Sequence, residues 1–323
     1  MTRRAMTEYA IQTIGLGRKF GRIDALCDVS MDVPTGEVVG LIGPNGAGKT
    51  TLIMLLLGIL RRSSGRALVL GRDTAEEASR IGQEIGVVLD VHGLYEGLTA
   101  LQNLQLFGQL LGLSSDTAGK RGNELLRAAG LWGRRYDRVA TYSKGMKQRL
   151  AIARSLINHP RLLIMDEPLS GLDPDSLRAT KELIKQLTQS QDVTVLLSSH
   201  SLADVEELCS KVAILNRGRL VAYDTVSNLR QSKEASFIRI RLAQGQCRAS
   251  ADKALASTEG VTGHSWVAED TVQVAVAQGV QPSTILRQLA LDSIEFREAR
   301  EIGNTLEEVF LSAIGEEEEA NHR

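Results

Sequence analysis

GPNGAGKT, Gly43 to Thr50, is the stretch on which the fold turns. It matches G-x-x-x-x-G-K-[ST] and lies between the apolar run VVGLI (Val38–Ile42) and the helical pattern TLIMLLLGIL (Thr51–Leu60). Glycines at 43, 46 and 48 let successive backbone N–H groups curl around a phosphate, and the N-terminus of the following helix adds a favourable dipole. Pro44, Asn45 and Ala47 complete the loop. Lys49 is placed to reach terminal phosphates, the Thr50 hydroxyl to hold Mg²⁺, and Thr51 to follow it at the same helix N-terminus.

A second stretch supplies acids. RLLIMDEP, Arg161 to Pro168, reads as a buried strand that ends in Asp166 and Glu167. In an open α/β sheet the carboxyl ends of the strands face the ligand, so Asp166 falls beside the phosphate loop, where it can hold Mg²⁺. The adjacent Glu167 is then a candidate to orient and deprotonate an attacking water. An apolar strand ending in two acids is common by accident; beside a phosphate loop it indicates nucleotide hydrolysis.

Farther out, from about Tyr9 to Leu229, apolar strand-like runs alternate with helical patterns, which predicts an α/β fold with a parallel sheet covered on both faces. Between Tyr95 and Ala140 leucines recur at helical spacing, as in ALQNLQLFGQLLGL, so a helical insertion of about residues 95–158 is expected. From about Arg230 the pattern changes. FIRIRL (Phe237–Leu242), TVQVAVA (Thr271–Ala277) and DSIEFREA alternate with period two, while PSTILRQLAL opens a helix at Pro282. TLEEVFLSAIG carries a capping-box pattern, Thr305 to Glu308, with Gly315 as its stop. The expectation is a domain over 9–229, a small α+β appendage over 230–315, and a solvated acidic tail over 316–323. No internal repeat or low-complexity linker is visible.

Composition narrows the function. In 323 residues, 38 basic and 39 acidic side chains give a net charge of −1, without the positive excess that nucleic-acid binding through a basic field requires. Cys27, Cys209 and Cys247 are far apart and odd in number, which excludes a disulfide framework or a Cys-rich zinc site and reads as three small hydrophobes in a reducing compartment. His92, His159, His264 and His322 show no metal spacing and read as surface or capping residues. The longest apolar run, Thr51–Leu60, has about half of the roughly 20 residues a bilayer helix needs, and MTRRAMTEYA lacks a signal's apolar stretch. A chain kept in the cytosol is expected, with any membrane role exerted through a partner.

Between the two acidic and glycine-rich motifs lies YSKGMKQRLAIARSL (Tyr142–Leu156); after them come SGLD (Ser170–Asp173) and LLSSH ending at His200. This ordered set resembles the ATP-binding cassette (ABC) ATPases over about two-thirds of the chain. The resemblance implies a P-loop NTPase fold, ATP and Mg²⁺ as ligands, and ATP hydrolysis coupled to transport. It implies that Ser143 and Gly145 contact the γ-phosphate held by a second cassette, that Asp173 lies at the dimer interface, and that His200 contacts the γ-phosphate and positions Glu167. Phe20, in RKFG, falls where the family has an aromatic stacked on adenine; it could equally be a core residue.

Two departures stand out. The signature reads YSKGM rather than LSGGQ, a form similar to that of bacterial export cassettes. Asp90, in IGVVLD, occupies the place of the family's Q-loop glutamine; its carboxylate could reach Mg²⁺ or a water on it. The implied protein is the ATPase subunit of an exporter, cytoplasmic and peripheral on the inner face of the membrane, working as a dimer, a homodimer in the simplest case, with a separate integral membrane permease. VHGLYEGLTALQNL and the C-terminal TLEEVFL resemble exporter cassettes too. The alternatives are a soluble ABC ATPase acting on nucleic acid or the ribosome, which would carry tandem cassettes, coiled-coil insertions or zinc cysteines, and a small P-loop kinase, which would need neither signature helix nor switch histidine. No direct contact with nucleic acid is expected. The sequence has no substrate pocket to read, because in this arrangement the membrane subunit selects the cargo.

Overall fold

The apolar runs that flank the functional motifs become the middle of a six-stranded sheet. The computed structural model describes residues 8–306 and 310, apart from 91, 191–192, 232–234, 244–245, 247, 278–279 and 303–305. Cys247, His322, the capping box at Thr305 and Glu308, Gly315 and the tail 316–323 lie outside the described residues. The chain divides into two units, Met1–Thr225 and Val226–Arg323.

In the first unit, β3 (Val38–Ile42), β6 (Ile85–Val88), β7 (Leu162–Met165), β8 (Thr194–Ser199) and β9 (Lys211–Asn216) are parallel, and β10 (Arg219–Thr225) runs antiparallel on the edge. The spatial order is β10-β9-β3-β8-β7-β6. All of β7 and β8 is buried, as expected for parallel strands covered on both faces. This order sets β3, which leads into the phosphate loop, beside β8, and β8 beside β7.

The single parallel sheet read from the sequence is only part of the unit. β1 (Tyr9–Phe20), β2 (Ile23–Pro34), β4 (Ser64–Val69) and β5 (Arg72–Asp73) form a separate antiparallel sheet in the order β2-β1-β4-β5. Its cause is local. Only Gly21 and Arg22 separate β1 from β2, and Phe20 pairs with Ile23, so the chain must turn back as a hairpin. Leu16, Val29, Val33 and Val69 of this sheet join Leu41, Leu52, Ile53 and Ile164 in one buried core.

The helices are α1 (Lys49–Leu56), α2 (Ala78–Gly82), α3 (Ala100–Leu110), α4 (Ser115–Ala128), α5 (Lys144–Ser155), α6 (Pro174–Ser190) and α7 (Leu202–Leu208). α3 to α5 make the insertion. Each starts on a side-chain cap: Thr99 with Gln102 in a reciprocal box, Ser114 on Thr117 N, and Ser143 on Met146 N.

The second unit contains α8 (Val226–Gln231), β11 (Ala235–Leu242), α9 (Arg248–Ser257), β12 (Val261–Trp266), β13 (Thr271–Ala277), α10 (Pro282–Leu291) and β14 (Phe296–Ile302). Its four strands form an antiparallel sheet, β12-β13-β11-β14. Alternate residues Ile238, Ile240, Val272, Val274 and Val276 are buried with Leu255 of α9 and Ile285 and Leu289 of α10. α8 spans the boundary read from the sequence at 229/230; the division falls at 225/226 instead.

Candidate active site

The phosphate loop is shaped by what its glycines permit. Gly46 and Gly48 have φ of 80° and 105°, in the region that side-chain-bearing residues avoid. A Cβ at Gly43 would lie 2.3 Å from the Leu215 carbonyl oxygen, and one at Gly48 2.8 Å from that of Ala25. At positions 43 and 48 the loop therefore has room only for bare backbone. Lys49, almost fully buried, folds its ammonium back to donate to the Gly43 carbonyl at 2.7 Å and to Pro44 at 3.2 Å.

β7 and β8 deliver the acids. Because Met165 pairs with Leu197, Asp166 arrives beside Ser198. The Ser198 hydroxyl donates to Asp166 Oδ1 at 2.6 Å and accepts from the Glu167 backbone N–H at 2.8 Å. The free oxygen of Asp166, Oδ2, accepts from the Thr50 hydroxyl at 3.0 Å. Glu167 sits at φ 49°, a strained backbone for a residue with a side chain. Its Oε2 meets His200 Nδ1 at 2.8 Å, and its Oε1 lies 4.0 Å from Lys49 Nζ. His200 keeps Nε2 without a partner among the described residues.

Asn45 to Thr51, Asp90, Asp166, Glu167 and His200 thus line one open cleft of about 670 Å³, joined by Ser170, Arg217 and, from β2, Ile23, Asp24 and Ala25. Gly43 and Pro44 stand just behind it through their carbonyls. Phe20 is not among the lining residues: it is 42% exposed, with the Arg18 guanidinium 4.4 Å from its ring centroid. Ile23, 70% exposed on the same hairpin, is a large apolar side chain that does line the cleft, with Ala25 and Ala47. Sequence reading missed Ile23 because it lies in no recognisable pattern, and missed Ser198 because LLSSH singles out only its histidine.

Ser143, Gly145 and Asp173 lie outside the cleft. Ser143 caps α5, and Asp173 Oδ1 accepts from Ser176 N at 3.0 Å in the first turn of α6. That amide, with the Ser176 hydroxyl, holds the Asp173 carboxyl below the usual carboxylate range. Gly145 is buried against α6, where a Cβ would sit 2.1 Å from Ser176 Oγ. The glycine is thus needed for helix packing within the chain, a reason the sequence does not reveal.

Two of the remaining histidines differ from the surface reading. His92 is partly buried, and burial, together with the charges of Lys144, Lys147 and Arg154, pushes its pKa down against the opposing pull of Asp90. His264 Nε2 meets Asp252 at 2.9 Å. Cys209 is buried and its thiol pKa is pushed up by that burial, in keeping with a small hydrophobe.

Does this site fit a nucleoside triphosphate with a divalent cation? The cradle admits no side chain at 43 or 48, and its lysine bonds to carbonyls that phosphate oxygens can replace. Thr50 and Asp166 present hard oxygen donors side by side. Among the described residues no group of three or more acidic, histidine or cysteine side chains could hold a metal alone. The Thr50 and Asp166 oxygens match what Mg²⁺ takes from a protein, since it keeps waters and binds through one or two protein oxygens plus substrate phosphates. The residues fit, and they define a P-loop nucleoside-triphosphate hydrolase.

Comparison with known proteins refines the class. Residues 26–170 match the family model described as ABC transporter. The chain is 35% identical over 306 residues to the daunorubicin/doxorubicin resistance ATP-binding protein of Streptomyces peucetius, covering 95% of this chain and 92% of that one. It is 39% identical over 217 residues to a fluoroquinolones export ATP-binding protein of Mycobacterium tuberculosis, covering 67% of this chain and 70% of the relative. Among solved structures, it is similar to an ATP-binding cassette captured as a dimer in a post-hydrolysis state with ADP and Pi. There the identity is 26%, the TM-score 0.61, and the coverage 67% of this chain and 98% of that one. The chain belongs to the ABC transporter family as an ATP-binding subunit, and it is an ATPase.

Proposed function

We propose that this subunit powers export through a separate integral membrane permease, by closing as a dimer on ATP and reopening after hydrolysis. The observation that carries the chemistry is Glu167, held at a strained backbone angle with its carboxylate between His200 and Lys49. In this reading Glu167 takes a proton from water as the water oxygen bonds to the γ-phosphorus and the bond to the β–γ bridging oxygen breaks. Lys49 exchanges its carbonyl partners for β- and γ-phosphate oxygens, and the amides of 45–51 hold the α- and β-phosphates. His200 fixes the Glu167 carboxylate through Nδ1 and offers Nε2 to the γ-phosphate. Mg²⁺, held by Thr50 and by Asp166 directly or through water, would neutralise charge on the phosphates.

The β1–β2 hairpin supports the adenine, with Phe20 and Ile23 as the two apolar candidates. Ser143, Gly145 and Asp173, outside the cleft, are read as the face that completes a second copy's site. Among the described residues no helix is long and apolar enough to cross a membrane, so coupling to transport calls for a membrane partner and a position on the cytoplasmic face of the membrane. Export is supported by what the relatives are named for, daunorubicin/doxorubicin resistance and fluoroquinolones export. Affinity purification of the tagged chain from its native membranes with a non-hydrolysable ATP analogue should recover an integral membrane protein with several apolar spans. Recovery of RNA or ribosomes, with no membrane protein, would overturn the reading.

Asp90 gives the sharpest test of the metal arrangement. It lines the cleft and is exposed. An ionised carboxylate can only accept hydrogen bonds, and beside a γ-phosphate it adds repulsion unless a cation offsets it. We assign it to Mg²⁺ or a Mg²⁺-bound water. ATP hydrolysis by Asp90→Ala is expected to need several-fold more Mg²⁺, with Asp90→Gln partly restoring the wild-type dependence. Identical Mg²⁺ titrations in all three proteins would remove Asp90 from the site.

A further inference from the structure

The C-terminal unit buries one face of its sheet and exposes the other. Ile238, Ile240 and Leu242 of β11 turn inward and are buried, so Arg239 and Arg241, which alternate with them, turn outward. The strand register sets Arg239 opposite Arg300 of β14 on one side and Gln273 of β13 on the other. In the next row Arg241 stands opposite Glu298 and Thr271. Arg239, Arg241, Thr271, Glu298 and Arg300 line a recess of about 240 Å³.

Charge in this recess is not balanced. Arg241 Nε donates to Asp270 Oδ2 at 2.8 Å, and Glu298 adds a second carboxylate beside it. Arg239 and Arg300 have no ion pair or hydrogen bond among the described residues. They are nevertheless direct cross-strand neighbours, an arrangement in which like charges oppose each other. Two adjacent guanidinium forks match carboxylate geometry and gain from a bound carboxylate what they lose by facing each other.

The longest acidic run of the sequence belongs to the same unit. Glu316–Glu319, in GEEEEANHR, begins fourteen positions after Ile302, the last residue of the strand that carries Arg300. Leu306 and Phe310 are helical. Even with about ten of these positions at the helical rise of about 1.5 Å, the segment spans roughly 25–30 Å, about twice the radius of gyration of about 13 Å expected for a unit of this size, so reach is no obstacle. We infer that the arginine face of the C-terminal sheet is the docking surface for the glutamate run of its own chain. Nothing in the nucleotide cleft takes part.

The test uses the full-length chain carrying Glu316→Gln, Glu317→Gln, Glu318→Gln and Glu319→Gln together, and a labelled synthetic peptide of residues 315–323. The peptide should bind this chain at least tenfold more tightly than the wild type, whose own tail competes. Adding Arg239→Gln and Arg300→Gln should weaken that binding at least tenfold, without changing basal ATPase activity. Raising salt from 50 to 500 mM should weaken it steeply. Equal binding with and without the two arginines would overturn the inference, as would equal binding to wild type and the tail variant. Arginine-dependent adsorption to phosphatidylserine vesicles, indifferent to the tail substitutions and without peptide binding, would assign the face to a membrane and overturn it as well.

Discussion

Replacing Glu167 with glutamine is expected to lower ATP turnover by about 10²–10⁴-fold, the range attributable to acid–base catalysis, while nucleotide binding changes little. Glutamine keeps the length of the side chain and a hydrogen bond to His200 Nδ1, but it cannot accept the proton of the attacking water. That loss corresponds to roughly 3–5 kcal/mol in the barrier. Binding is spared because the loop amides and Lys49, which hold the phosphates, do not depend on the carboxylate; Lys49 already has two carbonyl partners at 2.7 and 3.2 Å. With hydrolysis slowed, ATP should hold two chains together long enough to resolve a dimer by size-exclusion chromatography with light scattering. Wild-type turnover in Glu167→Gln would show that another group takes the proton. A further distinction comes from His200→Ala. If the histidine acts through Glu167, adding His200→Ala to Glu167→Gln should lower the rate much less than the two single losses multiplied.

What could be read in advance was what lies contiguous in the chain. The phosphate loop is eight consecutive residues, and its glycine requirement is local: φ of 105° at Gly48 can be anticipated from the pattern alone. Asp166 and Glu167 end a strand that is visibly apolar, and His200 ends another. The parts that escaped are those made by neighbours distant in sequence. Ser198 looks like one of two serines in LLSSH; only the β7–β8 register shows that it holds both the Asp166 carboxylate and the Glu167 amide. Gly145 fits the signature pattern, yet Ser176, 31 positions later, fills the space where its Cβ would be. α9 and β12 were missed for a different reason. β12 does not alternate cleanly, with only partial burial along its length, and α9 buries just Ala251, Ala254 and Leu255, too few apolar residues to mark a period.

Arg154 is the most consequential of these hidden residues. It lies near the end of α5, within AIARS, and its guanidinium is directed at the end of β6 and the loop that follows it. Nη1 donates to the carbonyls of His92 at 2.7 Å and Gly93 at 2.9 Å, and Nη2 to that of Val87 at 3.2 Å. The Phe107 ring centroid of α3 lies 4.8 Å from it. Burial pushes the Arg154 pKa down, but a guanidinium has ample margin and stays charged. One side chain therefore ties the segment carrying Asp90 to the helical insertion. Arg154→Met keeps the apolar stem against Phe107 and removes all three bonds. Because charge-assisted hydrogen bonds are individually strong, and because part of the loss is recovered when the guanidinium no longer has to be desolvated, the expected cost is about 2–4 kcal/mol. For a unit of this size that is a fall of roughly 5–15 °C in Tm. With two units in the chain, a single melting curve can mix two transitions, so hydrogen exchange across residues 87–93 is the cleaner reading: protection there should fall well before that of β7 and β8. Arg154→Lys should lie between, since an ammonium cannot span three carbonyls in a plane. If Arg154→Met melts within 1 °C of the wild type and residues 87–93 keep their protection, the loop is held by something other than this guanidinium.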